Sequence, residues 1–153
     1  MRLEAHGIAV ELPHGWNGRI FRLAGGGATL HAGTFALALD DSAFGDRSCA
    51  AIPTGGAFLS LTEYVPGAGL QPGGGLFASR RMPWPLDPAG FSVRKLAHRR
   101  PGQSATQHFF TASCRPLCLY VVIATAPSRS SGRARLDVLN QVLRSVQIAP
   151  AQV

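Results

Sequence analysis

The sequence predicts an α+β fold: a largely antiparallel β-sheet with helices against it, closed by a C-terminal amphipathic helix. Three observations carry that expectation. Short runs of β-forming residues are punctuated by turn residues, with 18 Gly and 11 Pro in 153 residues, a pattern that suits strands joined by loops. Two of those runs, 106–113 and 117–126, lie only a few residues apart, as the arms of a hairpin do. Finally, Leu136, Leu139, Val142, Leu143 and Val146 recur at helical spacing and form one apolar face. The length is that of one ordinary domain, assigned here as 1–153.

From the N-terminus, Ile8, Val10 and Leu12 alternate with Ala9 and Glu11, the signature of a half-buried strand. Pro13-His14-Gly15-Trp16 ends it as a turn, and residues 19–23 form a second short strand before the Gly25-Gly26-Gly27 break. Residues 29–39 read as one longer strand, with Phe35, Leu37 and Leu39 on one face and alanines on the other. Asp40 to Gly45 is loop-like, and residues 46–52 suggest a short helix. Residues 58–64 are rich in β-formers. Residues 66–90 hold five prolines and many glycines without periodicity, which is uncommon inside a domain unless the segment is functional or mobile. The run 117–126 is apolar on both faces and belongs inside the sheet. Arg115-Pro116-Leu117 reads as the hairpin turn, placing Cys114 and Cys118 opposite each other. The helix is expected over 133–146 with Ser130 or Ser131 as its cap, followed by a short strand at Gln147-Ile148.

Two places carry a family likeness. The opening strand runs into Pro13-x-Gly15-Trp16, and the closing helix runs into Ser145-Val146-Gln147-Ile148. Together they resemble the PsbP-like superfamily, which includes photosystem extrinsic subunits, a Ran-binding nuclear-transport factor and many bacterial proteins. The resemblance implies an α/β/α sandwich around an antiparallel sheet and a non-enzymatic accessory or binding role. It brings no catalytic residues with it.

Composition narrows the function classes. Hydrophobic residues make up 46% and charged residues 15% of the chain, which excludes wholesale disorder. The longest apolar stretch, 117–126, is about half a membrane span, and the first residues hold no signal-like apolar run. A cytoplasmic location is therefore expected. The net charge is +7, and Lys95 is the one lysine among 15 basic residues. Such a balance favours anionic partners but also serves solubility.

No catalytic pattern emerges. No G-x-S-x-G occurs, and His108 is the nearest base to Cys114 or Cys118, without an orienting third group. His6, His14, His31, His98 and His108 are scattered, Asp40, Asp41 and Asp46 lack calcium-loop spacing, and Cys-x-x-x-Cys is no zinc knuckle. The three cysteines suit reduced thiols better than a disulfide framework. Glycine runs lead into strands, unlike phosphate loops. Glu11 and Glu63 are the two acids inside expected strands, with nothing to pair them as a catalytic dyad. No cofactor and no metal are expected, and the chain is read as a non-enzyme.

The most basic segment is 80–100. It carries Arg80, Arg81, Arg94, Lys95, Arg99 and Arg100 against one acid, Asp87, with Trp84 and Phe91 interleaved. Arginine with aromatics is the composition of protein interfaces and of single-stranded nucleic-acid sites. The expected binding residues are thus Arg80, Arg81, Trp84, Arg94, Lys95, Arg99 and Arg100. The favoured role is an accessory interaction domain binding a protein partner or a second copy of itself. The alternatives are an apolar-ligand pocket between sheet and helix, and a nucleic-acid surface on the basic segment.

Overall fold

The computed structural model of the chain describes residues 1–67 and 70–150. Its strands are β1 (Arg2–Ala5), β2 (Ile8–Glu11), β3 (Asn17–Arg22), β4 (Ala28–Gly33), β5 (Ala57–Glu63), β6 (Gln103–Ala112), β7 (Arg115–Ala124) and β8 (Gln147–Ile148). The helices are α1 (Asp46–Ala50), between β4 and β5, and α2 (Arg129–Ser145), between β7 and β8. The strands form a three-stranded sheet, β1-β2-β8, and a five-stranded sheet, β3-β4-β5-β7-β6. All pairings are antiparallel. The α+β, mostly antiparallel class expected from the sequence is the observed one, with α2 as its closing helix.

The larger sheet is covered on both faces, which is why β4, β5 and β7 are buried almost throughout. On the first face, Leu30, Leu59, Leu119 and Val121 meet Leu139, Val142 and Leu143 of α2 and Ile8 and Val10 of β2. On the second, Phe58, Tyr120 and Val122 meet Cys49 of α1, with Phe35, Phe44 and Leu96 closing around them. The second layer is thus irregular chain around a five-residue helix. Among the described residues the one long helix, α2, lies on the first face.

Three local expectations need correction. The strand read over 29–39 stops at Gly33. There the chain turns away, with Thr34 and Ala57 exchanging hydrogen bonds of 3.1 and 3.0 Å. Phe35 and Leu37 then fold over the second face, whereas Leu39 is 88% exposed. The hairpin turn is Ser113-Cys114, both at positive φ (50° and 62°), and not Arg115-Pro116-Leu117. Positive φ at both central residues matches the twist of a two-residue hairpin. Pro116 sits in β7 opposite Thr111, and its carbonyl accepts from Tyr64 N–H just where β5 has ended. The missing N–H forfeits only the reciprocal bond of that terminal pair, at the end of the ladder. Lastly, α2 begins a turn earlier than expected. Its cap is Ser128, which forms a reciprocal capping box with Ser131. β1 was not expected at all; Leu3 contributes to the core, but the other side chains of the strand are polar or small.

Candidate binding surface

Residues 75–97 form a strap over the edge strand β6. Phe77 begins on the second face, tilted against Tyr64 and Phe109 with ring centroids 5.4 and 5.7 Å away. The Thr111 N–H then donates to the Ser79 carbonyl at 2.7 Å, and the Thr111 hydroxyl donates to the Phe77 carbonyl at 2.7 Å. The strap crosses to the first face, where Met82, Leu86 and Phe91 join the core and the Leu86 N–H donates to Asn140 Oδ1 of α2 at 2.8 Å. It returns over the edge at Ser92, which exchanges bonds of 2.8 and 3.1 Å with Ala105. Leu96 then re-enters the second face, and Ala97 N–H donates to the Tyr120 hydroxyl at 2.9 Å.

A glycine- and proline-rich segment is therefore tied down at both ends of one strand. It supplies Phe77 and Leu86 to the interior, more core than its composition suggests. It also uses two of the edge N–H groups of β6, those of Ala105 and Thr111, that an exposed strand would offer to another chain.

The expected binding residues fall into two groups. Ser79 and Ser92 meet β6 at Thr111 and Ala105, six residues apart, or about 20 Å at ~3.3 Å per residue. Near the first crossing, Arg80 and Arg81 are exposed. Trp84 is 39% exposed, between Pro83 and Pro85, and the Arg144 guanidinium of α2 lies 4.8 Å from its ring centroid. Leu76, 64% exposed, borders the same groove as Arg81 and Trp84. Near the second crossing are Arg94 and Arg99, both exposed, and Lys95, whose Nζ donates to the Gly90 carbonyl at 2.9 Å. Arg100 bends to α1 and donates to the Asp46 carbonyl at 3.0 Å. The seven residues do not form one patch. The aromatic anchor belongs to the first group alone, joined by Arg144, which the sequence does not connect to it.

Other polar groups hold the fold together. Arg115, 2% exposed, donates to both oxygens of Glu63 at 2.8 and 3.1 Å, to the Ala149 carbonyl at 3.0 Å and to the His6 carbonyl at 2.9 Å. One guanidinium thus joins β5, β7, the β1–β2 turn and the C-terminal segment. Burial alone would raise the Glu63 pKa, but Arg115 and the Ala28 N–H hold it below the ordinary value. Glu11 lies apart, paired at the surface with Arg2 at 3.4 Å. Asp41 is raised by burial and lowered more by the backbone N–H groups of Arg47, Ser48 and Ser42 that it accepts, so it ends below the usual carboxylate range. It is the brace of α1, and among the described residues no cluster of acids, histidines and cysteines could hold a metal.

His31 is fully buried, edge-on to Phe21 and Phe58 at 4.9 and 5.0 Å. Its Nε2–H donates to the Ala43 carbonyl at 2.9 Å, and Nδ1 has no partner. Burial depresses its pKa, so it is neutral. The thiols are equally quiet. Cys118 pairs in register with Phe109, which puts it on the opposite sheet face from His108, and His108 contacts Thr106 at 3.0 Å. Burial pushes the Cys118 pKa up to about 11 and that of Cys49 up to about 12. Cys114 is exposed at the turn, so it does not face Cys118 across the hairpin as expected.

The chain matches no family model, no curated protein and no solved structure. No α-helix among the described residues is long and apolar enough to cross a membrane.

Proposed function

We propose that this protein is a non-catalytic accessory domain of the PsbP-like kind, working in the cytoplasm, that docks a protein partner through Trp84. The observation that carries this reading is the setting of that side chain. Two prolines stiffen the chain around it, the strap is bonded to β6 on either side, and Arg144 lies against its ring. An aromatic held half-exposed loses little entropy on docking, and tryptophan and arginine are the residue types enriched at hot spots. Arg81 shares a groove with the ring, Arg144 lies against it and Arg80 is the next exposed cation along the strap, and among the described residues no ion pair involves any of them. The partner surface that fits is apolar at its centre and acidic at its rim.

The two segments that carry the resemblance lie together in the fold. Ile8 pairs with Ile148, and the Ser145 hydroxyl accepts from the Glu11 N–H at 2.9 Å. A protein partner suits the split of the basic residues better than a nucleic-acid track does, because backbone-tracking sites interleave their cations and aromatics along one groove.

The test is affinity capture from the native host with wild type, a Trp84→Ala/Arg80→Ala/Arg81→Ala variant, and an Arg94→Ala/Lys95→Ala/Arg99→Ala variant as control. Sedimentation at several concentrations identifies the case in which the partner is a second copy. The proposal expects one partner or self-association that survives the control changes and is lost in the Trp84 variant. An equal loss in both variants, or in neither, contradicts it.

A further inference from the structure

A second feature, separate from the Trp84 surface, is a pocket of about 350 Å³ between the first turns of α2, β7 and the strap. Its floor and walls are Phe91, Ile123, Leu136 and Leu139. Its size falls within the range of small-molecule sites, roughly 300–1,000 Å³, and so does its plan of apolar walls with a few polar groups.

The polar groups are all cationic. Arg129, Arg133 and Arg135 line the pocket, and no acidic residue does. Arg135 is held in place by the Ala124 and Gly56 carbonyls, at 2.6 and 3.3 Å. Arg129 and Arg133 are exposed and, among the described residues, bond no other side chain or carbonyl beyond the helix. These cations stand in the N-terminal half of α2, whose first turn has no acidic residue. Cations are disfavoured there by the helix macrodipole, and an anion is favoured. An apolar cleft with three guanidiniums and a positive helix end complements one kind of small molecule.

We propose that this pocket binds an amphipathic carboxylate. The aliphatic or aryl tail lies among Phe91, Ile123 and Leu136, and the head meets Arg129 and Arg133, for which paired guanidinium–carboxylate bonds are the matching geometry. The site does not depend on the Trp84 reading, since Trp84, Arg80 and Arg81 do not line it.

Isothermal titration of the full chain with decanoate tests the proposal, with decyltrimethylammonium as the tail-matched cation and phosphatidylglycerol vesicles as the lipid-surface arm. Two variants accompany it. Arg129→Ala/Arg133→Ala removes exposed charge. Gly132→Leu adds bulk at the pocket wall; a Cβ there meets only Ala126 Cβ, at 3.4 Å, and leucine favours the helix over glycine. The expected result is saturable one-to-one binding of decanoate, weakened at least about tenfold by the double alanine change, as two charge-assisted bonds require, and weakened by Gly132→Leu. Decyltrimethylammonium should not bind. Absence of saturable decanoate binding, equal binding of the cation, or unchanged affinity in both variants overturns the proposal. So does binding to the vesicles without binding to decanoate, which would make the cations a membrane-facing surface.

Discussion

Arg115 and the arginines beside Trp84 are the same side chain in opposite circumstances. Arg115 is buried, and its donors are taken up by one carboxylate and two carbonyls from distant parts of the chain. Arg80 and Arg81 lie in solvent, a few residues along the strap from the half-exposed Trp84. A guanidinium whose partners are all internal is committed to holding the fold together. One without them is available to a partner. The basic charge of this chain therefore divides by location into arginines bonded within the fold and arginines left in solvent, and a count of arginines cannot make that division.

The largest effect should come from breaking the buried pair. Arg115→Ala strands the Glu63 carboxylate in a nearly dry site and should destabilise the fold by about 3–5 kcal/mol, as removal of one member of a buried pair does. Urea unfolding measures it. A loss under about 1 kcal/mol would place Arg115 with the surface arginines and dissolve the contrast. Leu139→Ala should cost about 2–5 kcal/mol, because Leu139 is fully buried between α2 and the sheet. A midpoint within error of wild type would mean that the helix stripe faces a partner.

Acid should separate two buried groups. The folded state holds His31 neutral, with its pKa depressed, while the unfolded chain takes up a proton near the ordinary value of about 6.5. Stability from His31 is thus present above that pH and declines as pH falls through it toward the folded value. His108, also depressed by burial and by Lys95, acts in the same direction. Glu63 and Asp41, both lowered, keep their contribution until more acid conditions and lose it as pH falls below the ordinary carboxylate range. His31→Phe combined with His108→Gln should flatten the slope of urea midpoint against pH between about 7 and 5 and leave the more acid limb. A slope unchanged by both substitutions would refute this assignment.

The smallest effect concerns the thiols. Cys114 should react with a thiol reagent in the folded protein, while Cys49 and Cys118 wait for unfolding, since both are buried with raised pKa values. Serine at 114 and 118 should leave a folded, soluble protein. Rapid labelling of all three would contradict the packing of the second face.

Much of the fold was readable from local pattern. The alternation at 8–12 and 58–64, the doubly apolar run of β7 and the stripe of α2 each report a surface that must be buried, and burial is what alternation encodes. The misreadings share a cause. Phe35, Leu37 and Leu39 alternate among themselves as a strand would, yet the strand ends at Gly33, and Phe35 and Leu37 fold over the second face as irregular chain. The turn at Ser113-Cys114 holds no glycine or proline, so Pro116 drew the turn two residues onward. Burial of Phe77 and Leu86 depends on contacts with β6 and α2, which an aperiodic segment does not announce. The candidate site was legible in composition and illegible in arrangement. Trp84 with Arg80 and Arg81 stood out, but their distance from Arg94 and Lys95, and the approach of Arg144, come from the path of the strap. The Arg115–Glu63 pair spans 52 positions, and the sequence marks it only by an acid inside an expected strand.

The most direct test of the proposed division between structural and recognition arginines is the Trp84→Ala/Arg80→Ala/Arg81→Ala variant, measured for urea midpoint and for partner retention on the same preparation. Exposed arginines change stability by about 0.5 kcal/mol at most, and a partly exposed cation–π pair by about 0.5–1 kcal/mol. The account predicts a midpoint close to that of wild type, with the retained partner lost. Unfolding of the variant, or full retention by a folded one, would contradict it.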